Sequence, residues 1–477
     1  MTDLDLPVAP ADHRGQREAE RLRAVTLEVE PDTAEQLLNG AAELCTSWSR
    51  GQTQRAGCRE AAISCLRSHG VVIRSQRRTI VGLGIAARLS VATHRTAHRA
   101  APIAARAIAR QLASVLYEDP LRRMGSSPMA LGGLAFDPSA ASQLVIPEVV
   151  VVAEPEGLCW VTVTADAGTT AQDLESTARL IIDEICSIDP AGDESVAQMD
   201  GWKLSDGGEP AFTRAVRTAL EEIEAGTVSK VVLARRAVVA FDRPVDLAAT
   251  LKRLRRRESA STVFAITSPT DAFIGASPEL LVARDGPLVR SVPLAGSVRT
   301  RGDAASDDAA IAEMVASAKE NFEHRVVVRA IADLLERHCS ALSVPDHPEV
   351  LRLRQISHLA TAMTGELRYE PANRPGALEL ACILHPTPAV GGSPTGAAVA
   401  LIRALEPSGR GRYAGPVGWM DSNGDGEFFI GIRSAEVRRD HAVLFAGAGI
   451  VADSDPRFEL DETSLKLETM LGALRSG

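Results

Sequence analysis

Two acidic patterns in this 477-residue chain have the residue types and the spacing for metal chemistry. Around "SAKENFEHRVVVRAIADLLERH" the apolar residues Met314, Val315, Ala318, Phe322, Val326, Ile331 and Leu335 recur at helical spacing. They predict one helix over 306–340, with Glu320 and Glu323 side by side on it. In "RFELDETSLKLETMLGAL", Glu459, Glu462 and Lys466 share one helical face while Leu460, Leu467, Met470 and Leu471 take another. Two helices that each carry Glu-x-x-Glu can present the oxygens a hard divalent cation prefers, and Mg²⁺ is held by one or two carboxylates together with water and substrate. An ordinary charged helix face has the same spacing, so the pattern leaves both readings open.

A third candidate is a lysine. "TVSKVVLARRAVVAF" alternates and is rich in β-branched residues, so it reads as a strand with Lys230, Val232 and Ala234 on one face and Val231, Leu233 and Arg235 on the other. Lys230 in that run is either a solvated charge at a strand end or an amine held for a purpose.

The elements that must position these residues form an α+β pattern. Before about residue 206 the sequence predicts a strand near 25–30, helices near 33–50, 98–118 and 170–187, and strands at 130–135 and 144–166. "SIDPAGDESVAQMDGWKLSDGGEP" reads as a linker. From residue 207 on, helices over 209–224, 246–257, 306–340, 394–405 and 459–475 alternate irregularly with strands. Several strands follow one another through turns, as in "GPVGWMDSNGDGEFFIGIRSAEV", so antiparallel pairing is expected to dominate. The expected division is a disordered leader over 1–24, an N-terminal portion over 25–206 packing on a catalytic part, and that catalytic region over 207–477.

Composition narrows the function classes. A net charge of −10 without a long basic run, and a low aromatic content, argue against nucleic-acid binding. The odd number of scattered cysteines, seven in all, suggests reduced thiols and a cytoplasmic location. The leader has no apolar core of a signal peptide, and the most apolar stretch is interrupted by Pro147 and Glu148, so no membrane association is expected. Two familiar patterns are decoys. "VGLGIAARL" at 81–89 fits a dinucleotide fingerprint but lacks the acidic residue about 20 positions on. "DSNGDG" at 421–426 starts like a calcium loop, yet its twelfth position is Ile432 in place of a glutamate, so it reads as a hairpin turn.

Ten motifs in order, over roughly 207–472, carry a resemblance: "SKVVLARR", "FIGASPELLV", "PLAGSVRTRG", "SAKENFEHR", "SHLAT", "LHPTPAVGG", "GPVGWMD", "IGIRSAE", "FAGAGIV" and "ELDETSLKLETML". Together they resemble the chorismate-utilising enzymes, the family of isochorismate synthase, salicylate synthase and anthranilate synthase component I. The resemblance implies large antiparallel β-sheets wrapped by helices, and a Mg²⁺-dependent site for chorismate, a cyclohexadiene with two carboxylates. By the same resemblance Glu323 and Glu462 match metal ligands, and Glu320 and Glu459 match the acidic residues supporting them. Arg433, Tyr413, Lys466, Gly296, Gly447, Gly449 and His358 match substrate-binding positions. Arginine suits a carboxylate because it binds bidentately, and a glycine turn at 447–449 would bring backbone N–H groups close to an anion. Arg433 falls in an alternating strand pattern, where a solvated charge would also fit. Helix-start residues in "ASPE" give way to a strand, because too few residues separate Glu279 from the Asp285-Gly286 turn.

Within the family, ammonia users typically carry a neutral residue, often glutamine, at the Lys230 position, and aminodeoxychorismate synthases place a lysine where this chain has Ala295. Lysine at 230 with alanine at 295 resembles the water-adding branch, and "HPTPAVGG" is similar to the isochorismate synthase version. The implied reaction is reversible addition of water at C2 with loss of the C4 hydroxyl. Lys230 is the expected general base and Glu279 the expected general acid. Salicylate synthase, which goes on to eliminate pyruvate, is the alternative, with an ammonia-using synthase subunit behind it. The resemblance leaves siderophore, menaquinone and other pathways open. No redox cofactor, no obligatory glutaminase subunit and a monomer are expected.

Overall fold

The computed structural model of the protein describes residues 22–46, 66, 69–91, 97–118, 120–188, 203–205, 208–300, 302–369 and 374–475. The leader expected over 1–24 lies outside these except at its end, where the first strand, Leu22–Val29, has already begun. Most of the linker expected after residue 187 also lies outside them.

Three sheets with antiparallel pairing make the frame. The largest has 12 strands. It runs from Leu22–Val29 through Cys159–Asp166, Val149–Ala153, Thr79–Leu83, Gly70–Arg74, Thr262–Thr267, Asp271–Ser277, Ser434–Arg438 and His441–Ile450 to Lys230–Ala240 and Gly392–Ser393. Lys203–Ser205 also pairs with Lys230–Ala240. The second has 9 strands, in the order Cys339–Ser343, Met363–Leu367, Leu288–Val292, Leu280–Asp285, Gly426–Ile430, Pro416–Asp421, Met129–Gly133, Ser142–Ile146 and Ala87–Val91. A small third sheet joins Leu294–Arg299, Ile356–Ala360 and Glu349–Arg352. Strands from before and after residue 207 share both large sheets.

Alternation explains how the large sheets stack. Val71, Ile73, Ile80, Val150, Val152 and Trp160 of the first sheet meet Met129, Leu131, Leu280, Trp419 and Phe429 of the second in one apolar layer. The intervening residues Val72, Val81, Val149 and Val151 point to the opposite face, where helix Pro31–Thr46 covers their strands, while Ala171–Cys186 and Pro456–Leu474 cover other strands of the same face. Both faces of these strands are thus buried, which is why "VVVVA" shows no polar alternation.

Several expected elements differ in detail. The run 144–166 is three strands, Ser142–Ile146, Val149–Ala153 and Cys159–Asp166, and helix Ala377–Leu384 was not anticipated. The helix expected over 306–340 is two, Ala304–Ala316 and Ala318–Leu335. Ser317 adopts an extended conformation (ψ 121°) and caps the second helix, its hydroxyl accepting from the Glu320 N–H. That break resets the periodicity. The buried stripe of the second helix is His324, Val327, Ile331 and Leu335, while Val315 and Phe322, read as core positions, are 46% and 59% exposed.

"VGLGIAARL" runs from strand Thr79–Leu83 into strand Ala87–Val91 of the other large sheet, with no helix to receive a phosphate. "DSNGDG" is the turn between Pro416–Asp421 and Gly426–Ile430. Among the described residues the cysteines are free thiols, and no helix is long and apolar enough to cross a membrane.

Candidate active site

Two crossings between the large sheets lie side by side and build one wall of a cavity of about 470 Å³. Asp271–Ser277 pairs with Ser434–Arg438 in the first sheet, and Leu280–Asp285 pairs with Gly426–Ile430 in the second. At this wall the chain passes from sheet to sheet through Pro278-Glu279 and again through 431–433. The crossings are laced together. Ser277 Oγ donates to the Ile430 carbonyl (2.6 Å), the Ile430 N–H to the Glu279 carbonyl (3.1 Å) and the Ala276 N–H to the Arg433 carbonyl (3.1 Å). Arg433 is thus not in a strand, as its sequence context suggested. It occupies a left-handed conformation (φ 49°) in the crossing and is buried. A non-glycine residue there is strained, and the Arg433 side chain lines the cavity.

The floor is the pair Lys230–Ala240 and His441–Ile450, in register with Val232 opposite Gly449 and Ala234 opposite Gly447. Lys230 is 5% exposed, and its Nζ donates to Glu323 Oε2 at 3.2 Å, so it is no solvated strand end. Gly447 and Gly449 belong to a strand and not to the expected turn. What they offer the cavity is missing side chains: a Cβ at Gly449 would lie 3.1 Å from Lys230 Cε, and one at Gly447 would lie 3.0 Å from the Tyr413 hydroxyl.

The acidic wall comes from two helices. Ala318–Leu335 carries Glu320 and Glu323; Pro456–Leu474, capped by Asp455 with Pro456 in its first turn, carries Glu459, Glu462 and Lys466. All four carboxylates line the cavity. Burial, then the charges of Glu323 and Glu462, push Glu320 up. Burial and the Glu462 charge likewise raise Glu459. Burial also acts on Glu462, but the Lys466 ammonium (2.8 Å) and the Ser297 hydroxyl (2.7 Å) outweigh it and hold that carboxyl well below the usual range.

Opposite lies the cationic and aromatic side. The His358 imidazole is pushed down to about 3 by burial and by the charges of Arg433 and Lys466, so the ring is neutral. Its Nδ1 lies 3.1 Å from the Gly296 carbonyl, which can only accept, and its Nε2 lies 3.0 Å from Arg433 Nη2, which can only donate. One tautomer, protonated at Nδ1, satisfies both. Tyr413 stacks on Phe445 (centroids 5.1 Å apart), and burial pushes its phenol up to about 12, leaving it a neutral donor. Lys466 also donates to the Gly447 carbonyl at 2.9 Å.

Glu279 faces this space from the first crossing. It is 3% exposed, and burial pushes its carboxyl up to about 8, against the opposing pull of the Leu294 N–H and the Lys230 and Lys466 charges. It is therefore protonated at neutral pH and able to give a proton, in a cavity that the Lys230 amine also lines.

Every site candidate named from the sequence lines this one cavity. Sequence reasoning missed Ser297, which lies inside a quoted motif but whose residue type carries no signal. It also missed Arg410, whose guanidinium reaches the Val232 carbonyl (2.6 Å) and Glu406 (2.6 Å) and so clamps the strand of Lys230. Among the described residues no three carboxylate, imidazole or thiolate groups already close around a metal position. The donor set is nonetheless all oxygen. The four glutamates repel one another, with Lys230, Lys319 and Lys466 as the cations beside them, and Mg²⁺ needs no more than one or two carboxylates, so the residues fit a hard divalent cation.

Comparison with known proteins identifies relatives of the chain in sequence and in fold. Residues 71–475 match the family of chorismate binding enzymes. The isochorismate synthase MenF of Bacillus subtilis is 35% identical over 377 residues, 76% of this chain and 77% of its own. The structure of MenF, the menaquinone-specific isochorismate synthase of Escherichia coli, superposes with a TM-score of 0.75 at 25% identity, covering 95% of each chain. Anthranilate synthase component I of Streptococcus pneumoniae shares the fold, with a TM-score of 0.68 at 21% identity over 83% of this chain and 92% of its own. The chain belongs to the chorismate-binding enzyme family.

Proposed function

We propose that the protein is an isochorismate synthase that converts chorismate reversibly to isochorismate. The observation that carries this reading is the opposed pair in one cavity: Glu279, a buried carboxyl kept protonated at neutral pH, and Lys230, a buried amine. Water adds to C2 as Lys230 takes its proton. The diene electrons shift, the C4–O bond breaks, and Glu279 protonates the departing hydroxyl. One water enters and one leaves, so substrate and product are isomers, and a proton returns from Lys230 to Glu279 through solvent to complete the cycle. Arg433 and Tyr413 would bind the enolpyruvyl carboxylate, with His358 orienting the guanidinium and Lys466 adding charge. Glu323 and Glu462, with Glu320 and Glu459 beside them, would hold Mg²⁺, which when bound supplies the positive charge that the ring carboxylate needs against this acidic wall.

The relatives named as isochorismate synthases support the water-adding branch, as does an alanine at 295 where a nucleophilic lysine would serve aminodeoxychorismate formation. The test is to incubate the protein with chorismate and Mg²⁺, with and without ammonium, and to resolve isochorismate, salicylate and anthranilate by chromatography. Isochorismate formed independently of ammonium and abolished by EDTA is expected. Salicylate as the main product, or full turnover in EDTA, would overturn the corresponding part of the reading.

A further inference from the structure

One residue outside the acid, base and carboxylate set touches both acidic helices. Strand Leu294–Arg299 pairs with Ile356–Ala360, and the register shifts between Ala295 and Ser297, a bulge in which Gly296 takes φ +74°. Such a bulge swings backbone groups out of the ladder. The Gly296 carbonyl accepts from His358 Nδ1, and the Ser297 N–H donates to Glu320 Oε2 at 3.0 Å. The Ser297 hydroxyl donates to Glu462 Oε1 at 2.7 Å, on the other helix. A single residue therefore spans helices Ala318–Leu335 and Pro456–Leu474 through two carboxylates that are far apart in the sequence.

We propose that Ser297 is a positioning residue that fixes the separation of the two acidic helices' carboxylates and so pre-forms the divalent-cation site. The inference rests on the Mg²⁺ reading above. Without the hydroxyl, the side-chain partners left to Glu462 would be Lys466 and Glu459, both on its own helix. That lysine rises from the same helix on a flexible stem and also serves the Gly447 carbonyl, so it cannot set a distance between helices. Glu320 would keep its bond, because a backbone N–H supplies it. The substitution thus separates the two halves of the device. Groups that hold metal-binding carboxylates in place typically change metal affinity 10- to 100-fold when removed.

The experiment titrates Mg²⁺ alone into wild type, Ser297→Ala and Ser297→Thr by calorimetry, with melting in EDTA to show that each variant is folded. Ser297→Ala should bind Mg²⁺ roughly 10- to 100-fold more weakly, and Ser297→Thr, which keeps the hydroxyl, should recover most of the affinity. The Mg²⁺ concentration giving half-maximal turnover should shift with the binding constant. A folded Ser297→Ala protein that binds Mg²⁺ as tightly as wild type overturns this inference and leaves the metal reading standing. A wild type with neither Mg²⁺ binding nor Mg²⁺-dependent turnover overturns both.

Discussion

Replacing Glu279 by glutamine keeps the shape of the side chain and the acceptor for the Leu294 N–H, but removes the titrating proton. The folded protein holds this carboxyl at about 8, whereas an ordinary glutamate titrates at 4.5. A raised folded value means that the folded state keeps its proton while the unfolded chain loses its own. The stability associated with that proton is complete below 4.5 and is lost as the pH climbs toward 8, at about 1.4 kcal/mol for each pH unit between the two values. At pH 7 the buried acid therefore costs the fold about 3 kcal/mol, and at pH 5 less than about 1 kcal/mol. Glutamine has no such dependence. Glu279→Gln should thus be more stable than wild type at pH 7 by about 3 kcal/mol, with most of the advantage gone at pH 5. At about 2 cal/mol/K per residue the unfolding entropy of a chain this long is roughly 1 kcal/mol/K, so the melting temperature should rise by ~3 °C at pH 7. Activity should move the other way, falling roughly 10²- to 10⁴-fold with the loss of a positioned acid. The wild type should lose kcat/KM above about pH 8 as the acid ionises, and the variant should lack that limb. Paired melting curves at pH 5 and 7, with chromatographic rates across the same range, make the measurement. A stability difference that does not change with pH, or wild-type turnover by Glu279→Gln, would refute the assignment.

Lys230→Ala should lower isochorismate formation roughly 10²- to 10⁴-fold while the folded protein still binds Mg²⁺; unchanged turnover would make this lysine a structural partner of Glu323 and no base. Glu462→Gln should impair Mg²⁺-dependent turnover far more than Glu468→Gln. The Glu468 side chain is 42% exposed and faces Arg475 at 3.9 Å, away from the cavity, and equal effects in rate assays would argue against this assignment of helix faces. Gly296→Ala should destabilise the fold by about 1–2 kcal/mol through its left-handed backbone. Its new Cβ, 3.0 Å from Glu320 Oε2, should also weaken Mg²⁺ binding, a pairing that urea unfolding and calorimetry together would check.

Much of this was legible from local pattern. Alternation in "SKVVLARR", the "DSNGDG" turn, and the acidic pairs at helical spacing depend on residues a few positions apart, and helix or strand geometry follows from such neighbours wherever the chain goes. The fold class and the cast of cavity residues could be read on those grounds together with the ordered motifs. Where local pattern misled, a single residue or a distant surface had intervened. Ser317 broke one helix into two and moved the buried stripe, and burial on both faces erased the alternation of Val149–Ala153.

The chemistry of the site belongs to a different scale. Ser277 and Ile430, which lock the two crossings, are 153 residues apart, Lys230 and Glu323 are 93 apart, and Ser297 and Glu462 are 165 apart. Residue type can say that a carboxyl is present, but whether it is neutral or charged at pH 7 depends on how much water and which charges surround it. Glu279 and Glu462 are both glutamates of one cavity, yet one is held protonated by burial and the other ionised by Lys466 and Ser297. That difference exists only after three sheets and two helices have closed around them, because desolvation and short-range charge act through space and not along the chain.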